Sequence, residues 1–310
     1  MFAVAAPAVA ATITADRAFE IVADTISTVE NANTSDLMVF QLRQAPSILV
    51  LDYPTLEQQG RTFNRMVALI ERSATARNRV LSDAELEEAI RAAGRRTATF
   101  ASGNDFRISE IAYFFSLAES GNIALNADEI GLRNYVLKKA MMTRTSFGFS
   151  PNGMDRVILS LPQEQPRNGP DRVLITHVTR NAILRHEISH GEFYSNDDYA
   201  EYCRRFWREA LSDEERAAFR AFLAHLGYDT GNEELMINEG QAYLMHTPDP
   251  RLFSAAQVRL PQQRIDALRA RFWAGPPPSA LFQYERSLAV RSSGPPKPAA
   301  VSAPATPPNR

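Results

Sequence analysis

Three times in this chain a Ser or Asn stands three residues ahead of a Glu at the head of a segment with helical apolar spacing. The pairs are Ser82 with Glu85, Asn126 with Glu129, and Ser212 with Glu215. In such a capping box each side chain satisfies a backbone amide that the first helical turn leaves orphaned, so each pair sets where a helix begins. The helices expected from them are LSDAELEEAIRAAG, closed by Gly94, then NADEIGLRNYVLKKAMM, then LSDEERAAFRAFLAHLGY. Leu56 to Ile70 and Glu110 to Leu117 read as further helices, and the aromatic-rich stretch Tyr199 to Trp207 as another, packed over the motif helix described below. Strand signals are fewer: Ser47 to Leu51, Arg156 to Leu161, and Arg172 to Ile175 after the turn Asn168-Gly169-Pro170. The expected class is α+β, mainly helical, with a few short strands.

Composition sets the outer limits. With 310 residues, 45% of them hydrophobic, the chain can bury a core of normal size as one large domain or two small ones. Lys+Arg number 34 against 36 Asp+Glu, so no basic surplus points to nucleic acid. The single cysteine, Cys203, excludes an intrachain disulfide and any multi-cysteine metal site. No apolar run reaches the roughly 18 residues of a membrane span, so no integral membrane segment is expected. Residues 1–13 are alanine-rich and end near a small-x-small pattern at Ala8-Val9-Ala10, signal-like except that the basic region ahead of it is missing. A truncated signal would imply a periplasmic or secreted protein; otherwise the cytoplasm is expected. Residues 14–142 form a helical N-terminal region and 143–290 a second region, with no clear linker between them. The cluster Gly275-Pro276-Pro277-Pro278 marks the expected edge of the folded part. Residues 291–310 are a Pro/Ala-rich tail that lacks the apolar surface needed to order itself.

With cysteine chemistry excluded, catalysis must come from His and carboxylates, and one segment concentrates them. His186-Glu187-Ile188-Ser189-His190 is H-E-x-x-H inside an apolar stripe made by Ile175, Val178, Ala182, Ile183 and Ile188. Thr176 or Thr179 can cap its start and Gly191 can relax its end. On a helix, residues four apart lie one above the other, so both imidazoles can reach one metal ion. Glu187 is rotated by about 100° from His186, beside the ion without being forced to bind it, and is placed to hold a water. Two imidazoles do not complete a catalytic zinc site, which takes a third protein ligand and leaves a fourth position to water. The extended pattern with a glycine and a third histidine fails, because Phe193 and Asn196 occupy those positions. Glu192 points off another face. A carboxylate on a later helix is the best third ligand, with Glu239 leading and Glu233 and Glu234 as rivals; Asp229 and Glu201 are also near. The apolar neighbours Met236, Ile237, Ala242 and Leu244 favour Glu239, since a charge buried among them needs a cation.

The two segments together resemble the gluzincins, zinc metallopeptidases that bind metal through H-E-x-x-H and a downstream helical Glu. Asn238-Glu239-Gly240-Gln241-Ala242 is similar to their N-E-x-x-A helix, and the likeness covers residues 155–247. It implies a zincin-like core with short strands beside the active-site helix, Zn2+ held by His186, His190 and Glu239, and Glu187 as general base. The 49 residues from His190 to Glu239 exceed the gap of thermolysin-like members, and Tyr243 stands where those members carry an Asp. The implied activity is peptide-bond hydrolysis by a metal-activated water on a peptide or protein substrate. A zinc amidase acting on a non-peptide or cell-wall amide, and a non-catalytic metal-binding scaffold, are the alternatives. In the family, substrate often adds to an edge strand upstream of the metal helix, for which Arg156 to Leu161 is the candidate. Tyr243, one turn past Glu239, is a candidate oxyanion donor, although a helix aromatic reads first as core. Tyr194 and His246 are weaker, His246 as a solvent-facing C-terminal residue; His177 and His225 read as structural. Oligomeric state, substrate sequence and the role of residues 14–142 have no signature in the chain.

Overall fold

The computed structural model describes residues 19–23, 25–75 and 77–293. The signal-like stretch Phe2–Ile13 and the Pro/Ala-rich segment from Gly294 onward lie outside them.

Every residue of β3 (Ile48–Tyr53) is buried, and so is every residue of β7 (Val157–Pro162). These are the two apolar runs expected as strands, and continuous apolar runs of this kind are strands covered on both faces. They pair in parallel inside a five-stranded sheet, with Ile48 opposite Val157. The sheet order is β1 (Phe19–Ala23), β2 (Met38–Leu42), β3, β7 and β4 (Asn104–Arg107). β4 runs antiparallel to β7 and forms one edge. The expectation that Arg156 to Leu161 is an edge is therefore corrected: β7 is bonded on both sides. β7 also carries the sheet across residue 142, between β3 and β4 from the preceding region. A separate hairpin joins β5 (Met142–Thr145) to β6 (Gly148–Pro151). Arg172 to Ile175 is not a strand. Arg172 adopts φ +53°, which breaks the extended run, and only Ile175 bridges back, to Gln165.

Strand alternation divides the core. Leu49, Leu51, Tyr53, Phe106 and Ile158 face α2 (Leu56–Ile70) and α4 (Ile108–Ser120), with α3 (Asp83–Ala92) and α5 (Ala127–Lys138) beyond. Ile48, Val50, Val157, Leu159 and Leu161 face the opposite way, onto Ile183, Leu184 and Ile188 of α6 (His177–Ser195). The short α1 (Ile26–Glu30) packs on the same side. A third, aromatic cluster fills a helical layer of α7 (Asp197–Ala210), α8 (Asp213–Leu226), α9 (Glu233–His246), α10 (Ala255–Val258) and α11 (Gln262–Trp273). Mainly helical α+β describes the result.

All three expected capping boxes are present, at Ser82, Asn126 and Ser212. α5 stops at Lys138, short of the expected Met142, because Ala140 turns to φ +51° and the Met141 amide bonds back to the Val136 carbonyl at 3.0 Å. The Gly275–Pro278 cluster ends α11 without ending the packed chain. α12 (Ala280–Ser293) returns to bury Leu281 and Phe282, so the expected edge of the folded part moves beyond it.

One ion pair sets α6 on the sheet. Arg180 is 1% exposed and grips Asp52 of β3, 0% exposed, through two bonds of 2.8 Å. Gln163 donates to the same carboxylate at 2.6 Å, and Arg180 also donates to the carbonyls of Pro162 and Val29. Burial still raises the Asp52 pKa, against the hydrogen bond and charge of Arg180.

Candidate metal centre

α6 begins where Thr176 accepts a hydrogen bond from the Thr179 amide and runs unbroken to Ser195. Gly191 is therefore interior rather than a terminal relaxer. Its role is close approach: a Cβ there would lie 2.7 Å from Cδ1 of Ile48, so the bare backbone lets the motif turn sit directly on β3. The helix presents His186 and His190 on one face, with ring centroids 4.7 Å apart. α9, capped by Asn232, crosses this face and brings Glu239 to both rings. His186 Nε2 lies 3.6 Å from Glu239 Oε2, and His190 Nε2 lies 3.7 Å from Glu239 Oε1. All three residues are buried. The rivals are elsewhere. Glu233 accepts from the Trp207 indole at 2.8 Å, Glu234 from Arg204 at 2.9 Å, and Asp229 pairs with Arg77 at 2.9 Å. Glu201 is an exposed partner of Arg208.

The hydrogen-bonded partners of the two rings settle which nitrogen carries the proton. The Thr247 hydroxyl donates to the Ala242 carbonyl at 2.9 Å, so at 2.8 Å from His186 it accepts from Nδ1–H. The Asn238 carbonyl oxygen, 2.9 Å from His190 Nδ1, accepts in the same way and also receives Gln241. Gln241 donates as well to Ser189 on α6, tying the two helices together beside the rings. Both Nε2 atoms thus carry a bare lone pair toward Glu239. Burial lowers the pKa of His186 to about 3 and that of His190 to about 4, so at neutral pH each ring is the neutral imidazole with its single proton on Nδ1. Two lone pairs facing a carboxylate repel it unless a cation lies between them. A cation about 2.0–2.1 Å from each atom of a tetrahedral set separates those atoms by about 3.3 Å. The observed 3.6 and 3.7 Å are close to that spacing but run to different oxygens of Glu239, so each ring faces its own carboxylate oxygen. Glu239 Oε2 is buried without a hydrogen-bond partner, as a ligand atom would be. Burial raises the Glu239 pKa, and the nearby His190 and a hydrogen bond with Tyr228 draw it back.

Glu187 projects from the same turn with its Oε2 likewise buried and unpartnered. Burial, then the charges of Glu239 and Glu71, hold its carboxyl well above the usual range. Its other wall is Gly103, just before β4: a Cβ there would collide with Glu187 Oε1 and come within 2.6 Å of its Cδ. Tyr243 stacks edge-on to His186 at 4.6 Å and is wedged against Phe222 and Phe253. Tyr228 hydrogen bonds its side chain too.

His246 is not solvent-facing as expected. It is 0% exposed because α12 covers it, and it lies between Tyr199 at 3.1 Å and Glu285 at 3.1 Å. Tyr194 lies under the Arg107 guanidinium, 4.9 Å from the ring centre. His177 and His225 are exposed. Sequence reasoning missed Asp105 of β4. One Asp105 oxygen, one from Glu187 and a nitrogen of His190 all lie within 4.8 Å of one another. Its only signal was its place in the four-residue strand NDFR, too short for an alternation to be read.

The chain matches no protein-family model, no curated protein and no solved structure. Among the described residues, no helix is long and apolar enough to cross a membrane.

Proposed function

We propose that the protein is a zinc-dependent hydrolase of peptide bonds, with a zincin-like core and a gluzincin-type ligand set of His186, His190 and Glu239. The observation carrying this reading is the convergence of two imidazole lone pairs on a buried carboxylate that has no other partner for Oε2. A divalent cation in that position would supply Lewis acidity, polarising a carbonyl and acidifying a water. Glu187 takes the proton of the attacking water and returns it to the leaving nitrogen. A carboxyl held above its usual range by burial is suited to both steps. The imidazoles stay neutral ligands because Thr247 and Asn238 hold their Nδ1 protons. β4 pairs within its sheet on one side only and lies against Glu187, so it is the edge on which an extended substrate strand would add. Tyr243 lies one ring from His186 and is retained as a candidate oxyanion donor.

The test compares wild type with Glu187→Gln for zinc content and for turnover of a quenched peptide library. One zinc per chain in both proteins, with turnover reduced about 10²–10⁴-fold in the variant, is expected. Zinc in both and turnover in neither overturns the hydrolase. No zinc in wild type overturns the metal centre itself.

A further inference from the structure

Every ligand of the proposed centre comes from the second region of the chain, yet the first region grips a side chain that touches one of them. Just past α2, Arg72 forms an antiparallel bridge with Tyr228, in the turn between α8 and α9. The Asp229 amide donates to the Glu71 carbonyl at 3.1 Å and the Ser73 amide to the Gly227 carbonyl at 3.2 Å, so both sides of the bridge are bonded. Arg77 adds an ion pair to Asp229 at 2.9 Å. The Arg72 guanidinium lies over the Tyr228 ring, 5.5 Å from its centre, and over the Phe100 ring at 4.9 Å. It is fixed in turn by donating to the carbonyls of Phe100, at 2.7 Å, and Leu226. Backbone bridging and a cation over its face together restrict where the Tyr228 hydroxyl points.

That hydroxyl makes hydrogen bonds with two side chains of α9 one turn apart, Glu239 and Tyr243. A phenol has one proton to give and lone pairs with which to accept. As a metal ligand Glu239 is ionised and only accepts, so the Tyr228 proton goes to it and the Tyr243 hydroxyl donates to the Tyr228 oxygen. We propose that Tyr228 is a positioning residue for Glu239, and that Arg72 sets its pose from the first region. The inference rests on the proposed metal centre and gives the first region a part in it. The bond fixes the rotation of the Glu239 carboxylate, which decides how its two oxygens meet the two rings. A charge-assisted bond of this kind also orders the carboxylate before a cation arrives, so less freedom is lost on binding. The Tyr243 proton is engaged in the same chain, and an oxyanion would have to compete for it.

The experiment measures zinc affinity of the full-length protein by chelator competition, and the visible spectrum of its cobalt(II) form, which reports ligand geometry. Tyr228→Phe keeps the ring and its stacking and removes only the hydroxyl. It is expected to weaken zinc binding about 10–100-fold and to shift the cobalt bands. Arg72→Lys keeps the charge but loses the planar fork that covers the ring, and is expected to move both readings in the same direction. In a Tyr228→Phe background, Arg72→Lys should then weaken zinc binding by less than about twofold, because its effect runs through the hydroxyl already lost. Unchanged affinity and unchanged cobalt bands in folded Tyr228→Phe overturn the positioning role and leave the three-ligand hydrolase standing. Weaker zinc binding with unmoved cobalt bands marks a merely structural hydroxyl and overturns it as well. Arg72→Lys effects that are absent, or that multiply with those of Tyr228→Phe, overturn the link to the first region. A wild type that binds neither metal removes the centre and the inference with it.

Discussion

Thr247 shows what one hydroxyl can decide. It spends its proton on Ala242 and so can only accept from His186, which turns the ring's free lone pair toward Glu239. Thr247→Val keeps the shape and removes the acceptor; zinc affinity by chelator competition should fall about 10–100-fold with the fold intact. The trio His186, His190 and Glu239 could be named from the chain because a four-residue spacing is itself a geometry, and because Glu239 sits among apolar neighbours. Thr247 and Asp105 could not. Thr247 matters only because α9 ends over His186, and Asp105 only because β4 pairs antiparallel with β7. Those facts live in the packing, not in any local run of residues. His246 was misjudged for the same reason: its burial is the work of α12, more than thirty positions away.

Elements meet here at bare backbone. Gly103 is the wall behind Glu187, so Gly103→Ala should push that carboxylate aside. We expect zinc content to stay at the wild-type level while turnover falls by at least about tenfold, since small misplacements of a reacting group are costly. The seating of α6 on the sheet rests on Arg180 and Asp52. Arg180→Met strands a buried carboxylate and should lower stability by about 3–5 kcal/mol in urea unfolding. Asp52→Asn combined with Arg180→Met should cost less than that single change, because no lone charge remains. The three boxed helix starts were readable at residue precision, since a capping box is written entirely within four positions, whereas α4, expected from Glu110, begins at Ile108. Strands β1, β2 and β4 and the β5–β6 hairpin were not, because short strands take their identity from partners far along the chain. The expected strand at Arg172 to Ile175 failed for a local reason, the left-handed turn at Arg172.

Stability of the whole molecule should carry a signature of Glu129. Its carboxylate lies 3.1 Å from Arg65, each 1% exposed, yet burial raises its pKa from 4.5 to about 7 despite the arginine. A pKa raised in the fold means that the native state holds the proton more tightly. The stabilisation is complete below the unfolded value and fades as pH climbs through the folded one. Between pH 5 and 8 wild type should lose about 2–3 kcal/mol that Glu129→Gln does not, read from paired urea titrations. Equal pH slopes in the two proteins would refute the assignment.

The pairing of Ile48 with Val157 has a consequence for synthesis. At about 5–20 residues per second the ribosome needs roughly 5–20 s to deliver β7 after β3, and throughout that interval a strand apolar but for Asp52 waits with one side unmatched. A nascent chain in that condition is a natural client for a holding chaperone. In the proposed centre the third ligand comes later still, since Glu239 and Thr247 are translated after both histidines. For the proposed hydrolase, translation order alone would withhold the third ligand, and with it any cleavage, until α9 has been made.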